Sequence, residues 1–318
     1  MLRYIGVKLI LMIPTILLIT IITFLLLYAA PGDPVMALIS PDAPEEAIQL
    51  MREKFGLDAP WYVRYWNWLK EVTKGNFGYS YSTGRPVAEM ILNRLPATLE
   101  LMGLSILFST ILGIFLGLTS GMKPYSTLDR ILTPIGIVGI SIPQFFLGLT
   151  LIYLFSIKLG CLPIGGRTPI GSSGFLARAS HLVLPVIVLT LTMMADIMRY
   201  TRASVINESN KPYVKTAFSK GMLPGRVYLV HIFKNAAIPV MVVLILRLVR
   251  LVGGVVIVEN VFSWPGMGTL LVDSVQNRDY PVVLGILLIT GIVVLIASIL
   301  IDIVTAALNP KVRYGYEK

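Results

Sequence analysis

The sequence predicts an all-α polytopic membrane protein with six transmembrane helices. Hydrophobic residues make up 55% of the 318 residues and charged residues only 14%, whereas about a quarter of a soluble domain is charged. Mean hydropathy is +0.78. Six apolar runs are long enough to cross the hydrocarbon core of a bilayer. They lie near 9–29, 99–121, 131–156, 182–201, 237–258 and 281–306.

The distribution of basic residues predicts the orientation of these spans. The first apolar run, near 9–29, exceeds the hydrophobic region of about 7–15 residues in a signal peptide, so we expect a retained helix. Six spans place both termini on one side. Fourteen Lys and Arg residues fall on that side, and four fall in the short loops opposite. The positive-inside rule therefore predicts cytoplasmic termini and an external segment at 31–96.

The external segment has seven bases and eight acids, and its patterns predict two helices. Asp42 and Glu45 resemble a capping box that opens a helix through Lys54. A second helix is predicted from Pro60, with aromatic residues at helical spacing on one face. These aromatic residues are Trp61, Tyr65 and Trp68. Two interpretations remain open: an amphipathic helix at the membrane surface, or contact with an external partner protein.

The segment Arg199–Pro239 is polar and basic, with seven bases against the single acid Glu208, although it lies between two apolar runs. Its charge assigns it to the cytoplasmic side. Within it the sequence predicts a short helix over 213–221. Pro212 suits a first helical turn, and Gly221 suits a helix end. A structured cytoplasmic helix on a membrane protein predicts a docking surface.

Several kinds of chemistry are excluded or disfavoured. The chain has no Walker A pattern, so we expect no ATP binding of the usual kind. Its single cysteine, Cys161, allows no internal disulfide, and we predict no catalytic residue, no metal site and no cofactor. Gly171–Gly174 matches the G-x-S-G pattern of intramembrane serine proteases. However, neither His181 nor His231 lies on a later apolar helix where it could act as a base, which favours a loop turn.

Arg247 and Arg250 lie three residues apart near the middle of the predicted fifth span. A charge at that depth costs ~2.5–3.5 kcal/mol on insertion scales, so it should face a cavity or a counter-charge. Two interpretations remain open. The pair contacts an anionic group, such as a peptide carboxylate, in a translocation pathway, or it pairs structurally with Glu100, Asp196 or a neighbouring subunit.

The basic segment and nine further blocks carry a resemblance to a known family. The segment contributes Tyr213, Thr216, Ala217, Lys220 and Gly221, followed by Arg226, His231, Asn235 and Pro239. The other blocks are APGDP at 30–34, GNFGYS at 75–80, TGRPV at 83–87, RLPATLEL at 94–101, SIPQFFLG at 141–148, LPIGG at 162–166, RYTRAS at 199–204, ENVFSWPGMGTLLVDSVQNRDYPVV at 259–283 and NPKVRY at 309–314. Together they resemble the dipeptide, oligopeptide and nickel permeases of binding-protein-dependent ABC importers. The chain departs from the family at the loop's Glu-Ala-Ala triplet, which is Lys215-Thr216-Ala217 here, and at Phe218, where the subgroup usually has a base.

The resemblance implies a type I ABC importer-like transmembrane domain without enzyme activity of its own, with ATP hydrolysis on partner ATPase subunits. It divides the chain into an N-terminal transmembrane helix at 1–30, an extracytoplasmic helical region at 31–96 and a five-helix permease core at 97–318. The core contains the cytoplasmic coupling loop 199–236. The implied partners are a second homologous permease, two cytoplasmic ATPases, an extracytoplasmic solute-binding protein and membrane lipid, without nucleic acid. The implied location is a bacterial or archaeal plasma membrane.

The implied function is import of di- or oligopeptides along a pathway that the chain forms with the second permease. The resemblance assigns ATPase coupling to Tyr213, Thr216, Ala217, Phe218, Lys220 and Gly221, and we expect Tyr213, Ala217 and Gly221 close to the contact because they share one helix face. Import of a nickel chelate or another small solute is the alternative. An ion-coupled secondary transporter is a further alternative from another class, but the membrane-buried acids and paired unwound helices of such transporters are not evident in the sequence.

Overall fold

The computed structural model describes residues 2–36, 38, 43–168 and 174–308, together with most of their side chains; those of 245–254 are among the exceptions. Short connections join helices along these ranges. In chain order the helical elements are α1 (Leu2–Ala29), α2 (Glu45–Phe55), α3 (Trp61–Thr73), α4 (Val87–Met122), α5 (Thr127–Ser141), α6 (Gln144–Leu151), the π-helical segment Ile152–Lys158, α7 (Phe175–Ser209), α8 (Pro212–Ser219), the single turn α9 (Pro224–Arg226), the π-helical segment Val227–Ile232, α10 (Phe233–Val261), α11 (Met267–Gln276) and α12 (Tyr280–Leu308).

Four helices in the described ranges are long and apolar enough to cross a membrane. They are Gly6–Ala29, Val87–Met122, Arg178–Ser209 and Tyr280–Leu300. These four contain most or all of the predicted first, second, fourth and sixth spans, and α10 coincides with the predicted fifth span. The count of six spans stays a prediction.

The predicted third span, 131–156, is not one continuous helix. The chain leaves α5 at Ile142, whose backbone is extended, and α6 begins after Pro143. Proline disfavours the helical conformation at the residue before it and offers no N–H to continue the preceding helix. The prediction of one uninterrupted helix over this range is therefore wrong. The apolar composition of the range does not reveal the break at Ile142-Pro143.

The chain forms two compact units. Within the described residues, the core unit comprises Leu99–Trp264 and Ala297–Leu308, and the N-terminal unit comprises Leu2–Thr98 and Pro265–Ile296. The division into 1–30, 31–96 and 97–318 remains a prediction based on sequence.

In the core unit, α7 is the central helix and packs against α5, α6 and α10. Three glycines of α4 face it at four-residue spacing, Gly113, Gly117 and Gly121. A Cβ atom added at Gly117 would lie 2.6 Å from the carbonyl oxygen of Met198 on α7. The two backbones approach closely because these three positions of α4 carry no side chains, as at other small-residue helix contacts in membranes.

The N-terminal unit holds a buried apolar cluster formed by parts of α4, α11 and α12. Its members are Val87, Ile91, Met267, Leu270, Val282 and Ile286. The buried carboxylate of Asp279 precedes α12 and accepts hydrogen bonds from the Tyr81 N–H at 2.9 Å and the Ser82 hydroxyl at 2.8 Å. These bonds attach the loop before α4 to the start of α12.

The predicted aromatic stripe lies on α3, and its central residue contacts α1. The ring of Tyr65 packs edge-on against Phe24 with centroids 5.5 Å apart, and its hydroxyl lies 3.0 Å from that of Thr20. Trp68 lies beside Tyr65 with ring centroids 6.2 Å apart. The helix α2 begins at Glu45, and Asp42 of the predicted capping box lies outside the described residues. The central part of the stripe thus contacts a helix of the chain itself.

Candidate functional site

The short helix α8 forms where the basic segment predicts one. Lys211 precedes the helix with an extended backbone, and Pro212 occupies its first turn, where a missing N–H has no cost. The helix ends at Ser219, two residues before the predicted end. Lys220 follows as the C-terminal cap, and Gly221 adopts φ +75°, a left-handed conformation that glycine allows without strain.

One face of α8 is buried in the core unit. Val214 and Ala217, at 1% and 7% exposure, belong to an apolar cluster that holds the loop in place. The other members of this cluster are Val205, Val227, Ile232 and Ala236. The side chain of Ala217 is therefore turned toward the chain's own core. That Ala217 lies close to the contact with a partner ATPase stays a prediction, and its own side chain is buried while Thr216 and Phe218 next to it are exposed.

Polar bonds connect α8 to both neighbouring helices. The Tyr213 hydroxyl donates to the buried carboxylate of Glu208 at 2.6 Å, and Lys211 forms an ion pair with the same carboxylate. The side-chain amide of Asn235, on α10, donates to the Tyr213 oxygen at 3.1 Å. Burial, followed by the hydrogen bond to Glu208, raises the pKa of Tyr213, so the phenol keeps its proton at neutral pH. Tyr213 thus joins the ends of α7, α8 and α10.

Side chains outside the buried face of α8, and the turn after the helix, are exposed. Phe218, which flanks the buried face and contacts the ring of Tyr228, is 41% exposed, and Leu223 in the turn is 76% exposed. Lys215, Thr216 and Lys220 are also exposed. Exposed apolar side chains among basic residues, on a short and well-anchored helix and its turn, are suited to contact with another protein.

A buried ion pair lies near this loop, and reasoning from the sequence missed it. The guanidinium of Arg202, on α7, donates to both carboxylate oxygens of Asp129, on α5, at 2.6 and 2.7 Å. The Tyr125 N–H donates to the same carboxylate at 2.7 Å. Arg202 was visible in the RYTRAS block, but its partner is 73 residues away, and no local pattern connects the two.

The two arginines of the predicted pathway lie on α10, and their side chains fall outside the described part of the structure. Of their suggested partners, Glu100 accepts from Arg167 at 2.9 Å and also forms an ion pair with Arg178. Asp196 lies 3.3 Å from Arg199. Glu100 and Asp196 therefore each have basic partners other than Arg247 and Arg250.

The residues considered for a protease have other surroundings. His181 Nδ1 lies 2.8 Å from the carbonyl oxygen of Gly165, a geometry in which the ring N–H donates to the backbone. Gly171, Ser172 and Ser173 lie outside the described residues. The hydrogen bond to Gly165 gives His181 a role in holding the loop before α7.

Two family models together match nearly the whole chain. The model described as the N-terminal part of a binding-protein-dependent transport system membrane component matches residues 1–102. The model of the binding-protein-dependent transport system inner membrane component matches residues 109–314.

Curated relatives match over their full length. The oligopeptide transport system permease protein AppB of Bacillus subtilis is 38% identical over 316 residues, which cover 99% of this chain and 100% of the relative. The glutathione transport system permease protein GsiC of Escherichia coli is 36% identical over 314 residues, with coverage of 99% and 100%.

Solved structures share the fold at low sequence identity. An amino acid ABC transporter aligns with TM-score 0.53 and 18% identity over 69% of this chain and 94% of the other. The MetNI methionine ABC transporter, in an inward facing conformation, aligns with TM-score 0.57 and 17% identity over 69% and 96%.

The chain belongs to the family of binding-protein-dependent transport system inner membrane components. It is an ABC importer permease, a non-catalytic membrane subunit, in the group that includes oligopeptide and glutathione permeases. The resemblance predicted from the sequence motifs is confirmed, and membership of this family argues against a secondary transporter and an intramembrane protease.

Proposed function

We propose that this chain is one of two membrane subunits of an ATP-driven importer of di- or oligopeptides. The full-length similarity to permeases named for oligopeptides and glutathione supports peptides as the substrate class. In this proposal an extracytoplasmic binding protein delivers the peptide, a second homologous permease completes the pathway, and two cytoplasmic ATPases supply the energy. The complex lies in the lipid of a bacterial or archaeal plasma membrane. Arg247 and Arg250 stay candidates for the pathway because of their depth in the predicted fifth span.

The two-sided character of α8 carries the coupling part of the proposal. Val214 and Ala217 fix its buried face, while Phe218 at the edge of that face and Leu223 in the following turn are exposed. A helix that is rigid toward its own subunit and apolar toward the outside can transmit motion of an ATPase to α7 and α10. Thr216, Lys220 and Gly221 complete the proposed contact region, with Tyr213 as its anchor.

The coupling proposal is tested with Phe218→Ser in the assembled complex. Large aromatic side chains dominate the energy of such contacts, and we expect transport-coupled ATP hydrolysis and peptide uptake to fall about tenfold or more, at normal yield of the permease. Tyr125→Ser is the matched control, since Tyr125 is 78% exposed and precedes α5. Unchanged uptake in Phe218→Ser would contradict the assigned contact. Ala217→Arg should instead lower the yield, because the new side chain enters the apolar cluster.

The substrate class is tested by ATP-dependent uptake into vesicles that contain the complete importer and its binding protein. Peptides of two to five residues are compared with a nickel chelate. Accumulation of peptide, with no effect of the chelate, supports the proposal. Accumulation of the chelate alone would contradict peptide import and support import of a nickel chelate.

A further inference from the structure

A pocket of about 280 Å³ lies within the N-terminal unit, among α1, α3 and the start of α12. Six of its thirteen lining residues are aromatic, and they come from five separate parts of the chain. These residues are Phe24, Tyr28, Phe55, Trp68, Tyr81 and Tyr280. Neither the family membership nor the coupling loop accounts for this pocket.

Contacts among the lining residues hold the pocket in shape. The rings of Phe55 and Tyr81 stack with centroids 4.2 Å apart. The guanidinium carbon of Arg64 lies 5.9 Å from the centroid of Phe24, within the range of a cation–π interaction. Burial raises the pKa of the Tyr81 phenol, and the nearby charge of Arg64 opposes this shift. The aromatic wall is therefore built around a cationic side chain.

One cationic donor of this pocket has unused capacity. Arg64 takes part in none of the ion pairs found among the described residues. The Trp68 Nε1–H, in contrast, is shielded from water, so it does not open onto the pocket. An anionic group in the pocket would pair with Arg64.

A neighbouring pocket, also of about 280 Å³, shares Arg64 with the first and has a different chemical character. It is lined by Asp33 and Asp58 as well as by Arg52. Asp33 is paired with Arg52, so Asp58 is, of the two carboxylates described in this lining, the one available to attract a cation. Among the described residues that line the aromatic pocket there is no carboxylate. The aromatic pocket thus offers apolar rings next to the guanidinium of Arg64. The neighbouring pocket, which shares Arg64, offers the negative charge of Asp58.

We propose that the aromatic pocket binds the C-terminal residue of a short peptide, with its carboxylate on Arg64 and its apolar side chain among the rings. The N-terminal ammonium of a dipeptide would then lie toward Asp58. The lack of an acidic group in the aromatic pocket disfavours a free amino acid, because its ammonium group would be buried beside its own carboxylate without a partner. This inference rests on the proposed function, since it names a site for the proposed substrate on the permease itself.

The first test varies the ligand and leaves the protein unchanged. Alanylphenylalanine and its C-terminal amide are titrated into the purified importer complex in phosphatidylcholine nanodiscs, with binding followed by ligand-observed NMR. A charge-assisted hydrogen bond to guanidinium requires the carboxylate, so we expect the amide to bind at least tenfold more weakly. Equal affinity of acid and amide would overturn the proposal.

The second test varies the protein. We expect Arg64→Gln to remove the difference between acid and amide. The matched control on the same helix is Lys70→Gln, whose ammonium lies over the Trp66 ring. A difference between acid and amide that persists in Arg64→Gln would also overturn the site.

A third measurement separates this site from other outcomes. If phosphatidylglycerol added to the nanodiscs displaces the dipeptide, and the dipeptide acid shows no preference over the amide, the pocket binds a lipid headgroup and the proposal is wrong. If ATP-driven peptide uptake is normal but acid and amide bind alike, only the site fails. If the complete importer accumulates no peptide, the proposed function fails, whatever the pocket binds.

Discussion

Asp129 accepts hydrogen bonds from three different parts of the chain. The Ser120 hydroxyl at the end of α4, the Tyr125 N–H in the following loop and the Arg202 guanidinium on α7 all donate to its carboxylate. Asp129 is only 3% exposed. A carboxylate buried to this extent is stabilised only while its partners remain in place. It therefore couples the geometry of the α4–α5 connection to the helix that leads into the basic segment.

At the residue scale we predict that Asp129→Asn destabilises the permease by about 3 kcal/mol, because Arg202 loses its counter-charge in a mostly buried position. Thermal unfolding of the purified complex measures the change. Arg85→Gln is the control, since Arg85 and Glu89 form an exposed pair with side chains 56% and 53% accessible, and such pairs contribute at most about 1 kcal/mol. Similar decreases in the thermal midpoint for both variants would show that the buried pair stabilises the permease no more than the exposed pair does.

The pH dependence of this stabilisation follows from the direction of the pKa shift. The hydrogen bond from Arg202 lowers the pKa of Asp129 most, burial opposes it, and the bonds from Ser120 and the Tyr125 N–H lower it further. A carboxyl whose folded pKa is depressed contributes stability above its unfolded pKa of about 3.9, and this contribution is lost as pH falls further toward the folded pKa. The stability difference between wild type and Asp129→Asn should thus stay constant from pH 8 to about 5. It should shrink only below about pH 4.

At the scale of elements, the contact between α4 and α7 depends on the absence of side chains at Gly113, Gly117 and Gly121. A Cβ at Gly117 would meet a backbone oxygen and Thr201 Cβ, both at 2.6 Å. The backbone atom cannot move aside as the end of a flexible side chain could. The helices must separate to admit even a methyl group.

We accordingly predict that Gly117→Ala destabilises the core unit by about 1–3 kcal/mol, the usual cost of overpacking. Gly103→Ala is a matched control on the same helix, because a Cβ there meets nothing within 4 Å. The thermal midpoint and the yield of the purified permease are compared for the two variants. An unchanged midpoint in Gly117→Ala would mean that α4 and α7 do not approach as closely as the structure indicates.

At the scale of the whole molecule, the proposed topology assigns the N-terminal external segment and α8 to opposite sides of the membrane. Single cysteines replace Lys74, which is 68% exposed, and Ser219, which is also exposed, in a Cys161→Ser background because Cys161 is itself exposed. A membrane-impermeant maleimide should label Lys74→Cys in intact cells and Ser219→Cys only in inverted vesicles. Labelling of both from the same side would refute the cytoplasmic assignment of the loop.

The class of protein, the family and the position of α8 could all be predicted from the amino-acid sequence. Apolar runs report membrane helices because the bilayer acts on each segment separately, and Pro212 and Gly221 report helix ends because their backbone restrictions are local. The order of the motif blocks was sufficient to identify the family. The sequence also showed which residues of the loop to examine, from Tyr213 to Gly221.

Only the tertiary structure decided which side of those elements faces inward and which distant residues meet. Ala217 is buried in the apolar cluster and Phe218 is 41% exposed, although the two are adjacent in sequence. The tertiary structure also paired Asp129 with Arg202, and it assembled the aromatic pocket around Arg64 from segments as distant as α1 and α12. Hydropathy and helix periodicity are properties of neighbouring residues. Burial and ion pairing between distant segments depend on how whole helices pack, which no local pattern contains.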